Sequence, residues 1–474
     1  MGIEQLLMGV SGPIVVPLIH LLLAVGVTTH VLLTKREAGS SVSWIGLAWL
    51  APILGSVLYL LLGINRVRRR AISLRRPRPS ARAEQLARAV ARKDHLEALE
   101  RSGRRISGRP AEEGNAISIL HNGDQAYPEM VAGIEAAQRT IALSSYIFRA
   151  DVAGNPFIDA LIRARRRGVE VRVLIDGWGG GYFTSTTYHR LRRAGVSAAR
   201  FLHSPLPWRM PFLNLRSHKK ILAIDGRTVF TGGLNIGAEN LTRTRPRHPV
   251  FDTHFKFEGP VVAQLIEVFA ADWLFATGER LAGDGWFPAL RRAGDCAARV
   301  VTSGPDNDLE KIELLILEAL ACARTSIKVM TPYFLPDDRI ITALALAGLR
   351  GVEVDLILPE HSNHPTVDWA CRVQLDPLLA AGCRLWTYPA PFNHSKLMTV
   401  DGIWCLVGSA NWDVRSFRLN FELDLEVFHT TMVREVNELI TRQQGTRITA
   451  AALAARSLPE RLRDGAARLM VPYL

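Results

Sequence analysis

The sequence predicts an α/β protein in which two similar lobes, related by a pseudo-twofold axis, follow an N-terminal two-helix transmembrane hairpin. One motif occurs twice, from His218 to Asn235 and from His394 to Asn411. Strand-like and helical stretches alternate around each copy in the same order, which favours mixed, largely parallel sheets flanked by helices. Two long uncharged apolar stretches near the start of the chain predict the hairpin.

The hairpin is assigned to residues 1–66, with helices at about 14–33 and 44–64. Each stretch is long enough to cross a bilayer at a rise of about 1.5 Å per residue. Trp44, Trp49 and Tyr59 lie where interfacial aromatic residues are expected. The alternative is a cleaved signal peptide, but the chain starts M-G-I-E-Q without a basic region, and a second apolar stretch follows at once.

The net charge of +13 is concentrated in one segment. Eight arginines lie between Arg66 and Arg82 without an acid among them, which leaves only +5 for the rest of the chain. By the positive-inside rule, this cluster predicts a multi-pass protein of the cell membrane with both termini and the lobes in the cytoplasm. The cluster would also hold the chain against anionic lipid, or serve as a topology signal alone. A nucleic-acid partner is not predicted, because no broad basic surface is indicated.

The two halves repeat the same order of elements. The stretch R-T-I-A-L-S-S-Y at Arg139 corresponds to R-T-S-I-K-V-M-T-P-Y at Arg324, and each is followed by R-G-V-E-V and a further apolar run. An odd number of cysteines without a C-x-x-C pair is typical of a reducing compartment. The predicted divisions after the hairpin are a basic juxtamembrane segment and linker (67–114), lobe 1 (115–290), lobe 2 (298–435) and a helical C-terminal tail (436–474).

Both copies of the motif have one frame: His, one residue, Lys, four residues, Asp, six residues, Gly-Gly or Gly-Ser, one residue, Asn. Residues two apart on a strand share a face, so each histidine projects beside its lysine. Each aspartate has the opposite parity and precedes a glycine, so a role in a hairpin turn competes with a catalytic role. The candidate catalytic residues are His218, Lys220, Asp225, His394, Lys396 and Asp401.

Two facing copies would supply a complete set of groups for chemistry at phosphorus. Ammonium groups stabilise non-bridging oxygens, and two imidazoles with an ordinary pKa of about 6.5 can divide the roles of nucleophile and acid. Asn235 and Asn411 add amide donors for phosphate, and the glycines beside them allow backbone amides to approach an anion. The chain has no H-E-x-x-H motif, so metal hydrolysis is not favoured, and no metal or cofactor is predicted.

The frame resembles the paired H-x-K-x4-D signature of the phospholipase D superfamily, and the chain as a whole resembles its bacterial cardiolipin synthases. The stretches that carry the resemblance lie between Trp44 and about Phe428. They include A-W-L-A-P-I-L-G-S-V-L-Y-L-L-L-G, N-L-R-S-H-K-K-I, F-D-T-H-F-K-F-E-G-P, T-P-Y-F-L-P-D and G-S-A-N-W-D-V-R-S-F-R-L-N-F-E.

The resemblance implies a metal-independent, two-step phosphatidyl transfer between two molecules of phosphatidylglycerol at an anionic membrane. His218 would attack phosphorus and His394 would protonate the leaving glycerol; His394 would then activate a hydroxyl of the second lipid, giving cardiolipin. The choice of His218 rests on the resemblance alone. Glu239 and Glu422 would orient the opposing histidines, with solvated strand-end positions as the alternative.

Three departures from the family pattern concern the acceptor: Ser144 replaces an expected glutamate, Phe251 an expected arginine, and Asn363 an expected aspartate. A phospholipase D, or a phosphatidyltransferase with another acceptor, is therefore the alternative function. A nuclease and a catalytically inactive membrane-tethered binding protein are more distant alternatives. The oligomeric state is left open.

Overall fold

The computed structural model describes residues 3–34, 38–63, 95–203 and 215–469, and in the first helix it describes side chains from Pro17 to Leu33. The chain divides into two compact units. Within the described residues, the first unit comprises 3–34 and 38–63, and the second comprises 95–203 and 215–469.

The N-terminal unit is helical, but its second apolar stretch is not one continuous helix. Ala51 has φ −139° and ψ 74°, and Pro52 has no amide hydrogen to continue the preceding helix. Two side-chain hydrogen bonds connect the helices: His30 Nδ1 lies 2.7 Å from the Tyr59 hydroxyl, and Trp49 donates to Thr28 at 3.0 Å. The elements are α1 (Ile3–Thr34), α2 (Ala38–Leu50), α3 (Pro52–Leu58) and a π-helical turn (Tyr59–Gly63).

Among the helices of the described residues, none has both the length and the apolar character that a membrane crossing requires. The predicted transmembrane hairpin with helices at 14–33 and 44–64 is therefore not supported. The arginine cluster at 66–82 lies outside the described residues.

The second unit contains one 15-stranded sheet, in which the strands of the first half occupy one side and those of the second half the other. Its first-half elements are α4 (Glu97–Ser107), β1 (Glu112–His121), α5 (Asn122–Ala136), β2 (Thr140–Ser145), α6 (Gly154–Arg166), β3 (Glu170–Asp176), α7 (Thr186–Arg193), β4 (Ser197–Phe201), β5 (Ile221–Ile224), β6 (Thr228–Gly232), β7 (Val250–Phe251), β8 (Thr253–Glu258) and α8 (Val261–Thr277).

The second half repeats this arrangement and adds a short C-terminal region. Its elements are β9 (Cys296–Ser303), α9 (Lys311–Cys322), β10 (Ser326–Met330), β11 (Phe334–Leu335), α10 (Asp338–Leu349), β12 (Glu353–Pro359), α11 (Pro365–Gln374), α12 (Asp376–Ala380), β13 (Arg384–Tyr388), β14 (Phe392–Asn393), β15 (Leu397–Val400), β16 (Trp404–Gly408), β17 (Trp412–Asp413), α13 (Val414–Arg418), β18 (Glu422–Phe428), α14 (Thr430–Arg442), β19 (Thr446–Ile448), α15 (Ala450–Ala454) and α16 (Leu458–Arg468).

The strand order is β19-β13-β12-β10-β15-β16-β18-β9-β1-β8-β6-β5-β2-β3-β4. Counted outward from the centre, the strands of lobe 1 are β1-β8-β6-β5-β2-β3-β4 and the equivalent strands of lobe 2 are β9-β18-β16-β15-β10-β12-β13. The predicted pseudo-twofold relation of the lobes is therefore present. The antiparallel pair β1 and β9 joins the two halves at the centre.

The sheet is mixed, as predicted, but the expectation that it is largely parallel is wrong. In the described sheet only β2-β3-β4 and β10-β12-β13 pair in parallel, and the other neighbouring strands are antiparallel. The strands that follow the motifs, β5 and β15, form hairpins with β6 and β16. A two-residue turn can join antiparallel strands only, whereas parallel strands need a helical crossover.

Each half has its own apolar core between the sheet and its helices. Lobe 1 packs α5 and α6 on the sheet through residues such as Ile134, Phe157 and Leu161. Lobe 2 packs α9 and α10 in the same way, and Leu96 and Leu99 at the start of α4 are buried in that core. The linker is thus partly built into lobe 2. The domain limits proposed from the sequence stay predictions.

Candidate active site

The two motifs lie at equivalent places in the sheet, immediately before β5 and β15. Each His-x-Lys segment lies just before its strand and not within it. The side chains of His218, Lys220, His394 and Lys396 are buried. The two histidine rings are neighbours in an edge-to-face arrangement, with centroids 6.3 Å apart and planes at 81°. The predicted pairing of the motifs across the pseudo-twofold axis thus brings His218 and His394 into one cleft.

Reciprocal backbone contacts hold the histidines in place across the two lobes. The amide of His218 donates to the carbonyl of Phe421 at 2.9 Å, and the amide of His394 donates to the carbonyl of Phe251 at 2.6 Å. Each histidine is therefore positioned by the lobe opposite to its own, and neither lobe alone would build the site.

Glu422 orients His218. The Nδ1 atom of His218 lies 3.1 Å from a Glu422 oxygen and 3.0 Å from the carbonyl of Ser409. Both neighbours accept hydrogen bonds only, so Nδ1 carries the proton. The Ser409 hydroxyl donates to the same Glu422 oxygen at 2.6 Å and fixes the carboxylate. The Nε2 atom is left for chemistry.

Asp252 orients His394 in the same way. Its carboxylate lies 2.9 Å from Nδ1 of His394 and accepts from the Thr253 amide at 2.8 Å. The Lys396 ammonium is also 2.9 Å from this Nδ1. The carboxylate can only accept, so it favours the tautomer in which Nδ1 is protonated and Nε2 carries the lone pair. The Lys396 ammonium can only donate, and it then donates to the carbonyl of His394.

Of the two predicted orienting glutamates, the structure therefore brings only Glu422 to a histidine. Glu239 instead pairs with Arg149 at 3.3 Å and is partly exposed. Sequence reasoning missed Asp252, although a signal was present: Phe251-Asp252 and Phe421-Glu422 occupy matching positions at the start of β8 and β18. Each lobe thus supplies the acid for the histidine of the other lobe.

The two lysines lie at the histidines, as the spacing predicted. The Lys220 ammonium donates to the carbonyl of His218 at 2.6 Å, and the Lys396 ammonium donates to the carbonyl of His394. Burial lowers the pKa of Lys220 to about 8 and that of Lys396 to about 7, while the Glu422 and Asp252 carboxylates act in the opposite direction. Because burial disfavours the charged forms of both lysines, an anion bound beside them would stabilise these charges.

Burial also determines the charge of the histidine pairs. Burial lowers the pKa of His218, and the Glu422 charge partly offsets this effect. Burial and the Lys396 charge together lower the pKa of His394 to about 3. Burial alone would raise the pKa of both carboxyls. The neighbouring histidines and lysines outweigh it, so Asp252 and Glu422 stay ionised.

The predicted phosphate-binding asparagines differ in their surroundings. The Asn235 side-chain oxygen accepts from the amide of Ile147 at 3.3 Å, so the NH₂ group is the part of this side chain that can donate to a phosphate. The side-chain oxygen of Asn411 is buried without a hydrogen-bond partner in the described part of the chain. An unpaired buried oxygen is costly, so a donor from a ligand would stabilise it.

The glycines of the motif have a role other than the predicted one. A Cβ atom at Gly233 would lie 2.1 Å from an Asp252 oxygen, and one at Gly408 would lie 2.2 Å from an Asp424 oxygen. The amides of Ser409 and Ala410 donate to Asp424 and not into the cleft. These small residues make room for carboxylates that belong to the protein.

Asp225 and Asp401 do not reach the histidines. The Asp225 carboxylate accepts from the amides of residues 138–140, and the Asp401 carboxylate accepts from those of residues 324–326. Asp401 also bonds His95 Nε2 at 2.6 Å. Both aspartates have positive φ, 50° and 51°, as expected in a tight turn. They tie the hairpin turns to the neighbouring strands. This is the role in a hairpin turn that the sequence offered as the alternative to a catalytic role.

Two tyrosines that the sequence analysis did not single out flank the histidines. The Tyr146 ring lies 5.1 Å from that of His218, and the Tyr333 ring lies 6.0 Å from that of His394. The Tyr333 hydroxyl donates to Asn363, one of the departures from the family pattern. Of the other two departures, Ser144 is buried in β2, and Phe251 contributes its backbone carbonyl.

One group of potential metal ligands is found among the described residues. It consists of Asp295, Cys296 and His429, whose ligand atoms lie within 4.8 Å of one another. Asp295 and His429 are paired at 3.2 Å, and burial raises the pKa of the Cys296 thiol to about 11, which disfavours a thiolate ligand. None of these residues belongs to the two motifs.

A family model described as "Cardiolipin synthase, PLD-like domain" matches residues 130–273 and 316–443, and one described as "Phospholipase_D-nuclease N-terminal" matches residues 22–63. The chain belongs to the cardiolipin synthase family. Its curated relatives include "Cardiolipin synthase 1" of Bacillus cereus, 31% identical, with 95% of this chain and 92% of the relative covered. "Cardiolipin synthase" of Geobacillus kaustophilus is 33% identical over 93% and 90% of the two chains. "Major cardiolipin synthase ClsA" of Bacillus subtilis is 31% identical over 93% and 95%.

Among solved structures, this cardiolipin synthase family member resembles the phosphatidylserine synthase of Haemophilus influenzae. The TM-score is 0.62 at 16% identity, with 80% of this chain and all of the other chain covered. At that identity the likeness shows the fold. The family predicted from the paired motifs is confirmed by the family model and the curated relatives.

Proposed function

We propose that the protein is a phosphatidyltransferase that makes cardiolipin and glycerol from two molecules of phosphatidylglycerol through a phosphatidyl-histidine intermediate. The observation that carries the proposal is the facing histidine pair, in which each Nδ1 is held by a carboxylate from the opposite lobe. This arrangement leaves two Nε2 atoms to share one phosphorus centre. Relatives named cardiolipin synthase over more than nine-tenths of the chain support the substrate.

In the first step, Nε2 of His218 attacks the phosphorus of one phosphatidylglycerol. The N–P bond forms as the bond from phosphorus to the glycerol headgroup oxygen breaks. His394, protonated at Nε2 when the anionic substrate is bound, gives its proton to the leaving oxygen. The negative charge of the phosphodiester and that of Asp252 both favour this imidazolium.

In the second step, the neutral His394 removes the proton from a headgroup hydroxyl of a second phosphatidylglycerol. The new O–P bond forms as the N–P bond to His218 breaks, which releases cardiolipin and restores both histidines. Lys220 and Lys396 offset the charge on the phosphoryl oxygens in both transition states, and Asn235 and Asn411 add hydrogen bonds.

The roles of the two histidines are tested with a phosphatidyl ester of p-nitrophenol, whose leaving group needs no proton. His394→Ala should release one equivalent of nitrophenol and stop at phosphatidyl-His218, whereas His218→Ala should release none. Peptide mapping by mass spectrometry at neutral pH would locate the adduct. The reverse pattern would exchange the two roles.

We further propose that the N-terminal segment holds the enzyme at an anionic membrane. The match of residues 22–63 to an N-terminal family model and the arginines at 66–82 support membrane attachment. Two crossings, with both termini and the lobes in the cytoplasm, are the finer form of this proposal. A cysteine introduced at Lys35 should then react with an impermeant label only from outside, and labelling from the cytoplasm would refute that topology.

The reaction itself is tested by mass spectrometry of the purified protein incubated with phosphatidylglycerol alone, in the presence of a chelator. Cardiolipin and glycerol in equal amounts are expected. Phosphatidic acid as the main product would instead make the protein a phospholipase D. The absence of any phosphatidyl transfer would contradict the proposal.

A further inference from the structure

The proposed function requires a place for a second phosphate. The acceptor phosphatidylglycerol attacks through its headgroup hydroxyl, so its own phosphodiester stays intact and lies one glycerol unit away from the reacting phosphorus. Lys220 and Lys396 lie at the histidine pair and serve the reacting phosphate. A further cationic group is therefore expected beside the pair, on the side from which the acceptor enters.

The pseudo-twofold symmetry of the cleft is broken at two matching positions. Two residues before the motif histidine, lobe 1 has Arg216 and lobe 2 has Phe392. Four residues after the motif asparagine, lobe 2 has Arg415 and lobe 1 has Glu239. At both positions the two copies of the repeat differ in charge. The two arginines lie on the same side of the cleft.

Arg216 is held close to His218. Its backbone carbonyl accepts from the amide of Phe421 at 2.8 Å, in the same interlobe contact that positions the histidine. Its guanidinium lies over the Trp178 ring, 4.7 Å from the centroid, and the side chain is half-buried. The stacking fixes the plane of a group that can bind phosphate through two parallel hydrogen bonds.

Arg415 lies on α13, which follows the second motif, and it is also half-buried. Its backbone carbonyl accepts from the amide of Asn420 at 2.9 Å, and the next amide, that of Phe421, donates to Arg216, so the two arginines are neighbours. The like charge of Arg216 adds to burial in lowering the pKa of the Arg415 guanidinium. Tyr146 lies beside the reaction centre. Its ring is 5.1 Å from that of His218, and both guanidiniums act to lower the pKa of its hydroxyl against the effect of burial.

The carboxyl groups near these arginines already bind the protein backbone. Asp176 accepts from the amides of Trp178, Gly179 and Ser217 at 2.7–2.9 Å. Asp413 caps α13 by accepting from the Ser416 amide at 2.6 Å. Burial raises the pKa of both carboxyls, that of Asp413 to about 6.

The opposite side of the cleft has no comparable pair of cations in the described structure. Phe392 packs 6.1 Å from Tyr333 and 6.0 Å from His394, between ring centroids, which makes that side aromatic. Glu239 pairs with Arg149 there, so an acid occupies the position that Arg415 has on the other side. The cleft is therefore polarised across its pseudo-twofold axis.

We propose that Arg216 and Arg415, beside Tyr146, form a second anion-binding subsite that holds the intact phosphodiester of the acceptor phosphatidylglycerol. The inference rests on the proposed function and deepens it, because it assigns the two lipids to different sides of the cleft. An acceptor without a phosphate, such as glycerol, would reach the phosphatidyl-enzyme without using this subsite.

The test compares two acceptors with the same donor in mixed micelles. Cardiolipin formation uses the subsite, whereas exchange of labelled glycerol into phosphatidylglycerol passes through the same phosphatidyl-enzyme without it. In Arg216→Gln and Arg415→Gln, the ratio of cardiolipin formation to exchange should fall by about ten- to a hundredfold, the effect of losing a charge-assisted hydrogen bond. Arg216→Lys should recover part of the ratio.

Arg149→Gln is the matched control, because it removes an arginine at the other side of the cleft and should leave the ratio unchanged. An equal loss of both reactions in the Arg216 and Arg415 variants would place the arginines at the reacting phosphate or in the fold, and would overturn the proposal. An unchanged ratio would overturn it as well.

Free phosphate distinguishes the source of the bound anion. In the wild type, inorganic phosphate should inhibit cardiolipin formation in competition with the acceptor and inhibit exchange much less, and this selectivity should be lost in Arg415→Gln. Equal inhibition of both reactions would mean that phosphate binds only at the histidine pair, against the proposal. If the wild type catalysed neither reaction, the proposed function would fail before the subsite came into question.

Discussion

Replacement of Glu422 by glutamine tests whether the interlobe carboxylates serve catalysis. The carboxylate lies 3.1 Å from Nδ1 of His218. At that distance a unit charge stabilises an imidazolium by about 5 kcal/mol for an effective dielectric constant of about 20. The glutamine oxygen still accepts a hydrogen bond, so part of the interaction survives. We expect a loss of roughly 10²- to 10⁴-fold in the rate of phosphatidyl transfer.

The assay is cardiolipin formation over a range of pH, with the fold checked by thermal unfolding. Because Glu422 acts to raise the pKa of His218, its removal should move the ionisation of this histidine to lower pH. Asp252→Asn should cause a loss of similar size, since its carboxylate lies 2.9 Å from His394.

Glu239→Gln is the control, because Glu239 pairs with Arg149 and contacts no histidine in the described structure. It should retain most of the activity. The reasoning would be refuted if Glu422→Gln kept more than about a tenth of the wild-type rate with an unchanged pH profile, or if Glu239→Gln were equally impaired.

Three further predictions concern stability and substrate binding. Backbone amides hold the pKa of Asp401 at about 2 against the effect of burial, so its stabilisation is complete above about pH 4 and is lost as the pH falls through 2. Asp401→Asn should lower the free energy of unfolding by about 1–2 kcal/mol after allowance for solvent screening, with activity per folded molecule retained; a catalytic loss at full stability would contradict the structural role. Arg299→Met leaves the fully buried Glu426 unpaired and should cost about 3–5 kcal/mol in urea unfolding, with most of the loss restored by adding Glu426→Gln. Finally, the ammonium of Lys396 is neutralised as the pH rises through about 7, so the KM for phosphatidylglycerol should increase between pH 7 and 9; a KM independent of pH would argue against a phosphate contact by this lysine.

The duplicated frame was sufficient to predict much of the site. His218, Lys220, His394 and Lys396 meet in one cleft, as a pseudo-twofold pairing of the motifs required. The family was predicted because the motifs occur at a fixed spacing in both halves, and the family model and the curated relatives confirm it. The divisions between lobes and the chemical roles of individual residues stay predictions.

The carboxylate partners were only half predicted, for a physical reason. A hydrogen bond between His394 and Asp252 joins residues 142 positions apart, and that between His218 and Glu422 joins residues 204 apart. Spacing along a chain indicates which residues share a strand face, but not which lobe covers that face. Glu239 matched a family position, yet the fold turns it towards Arg149.

The sheet shows the same division between local and tertiary information. Local patterns indicated βαβ units correctly at β2-β3-β4 and β10-β12-β13. They did not indicate that hairpins would make most other pairs antiparallel, because strand direction depends on how distant segments return to the sheet.

The sequence by itself determined the duplication, the two histidine and lysine pairs, and the family, since these depend on residue types at short, repeated spacings. Only the tertiary structure decided that each histidine takes its carboxylate from the opposite lobe, that Asp225 and Asp401 support turns, and that Arg216 and Arg415 are neighbours. These facts depend on contacts between residues far apart in the chain. Such contacts form only when the two lobes close one sheet around a common cleft.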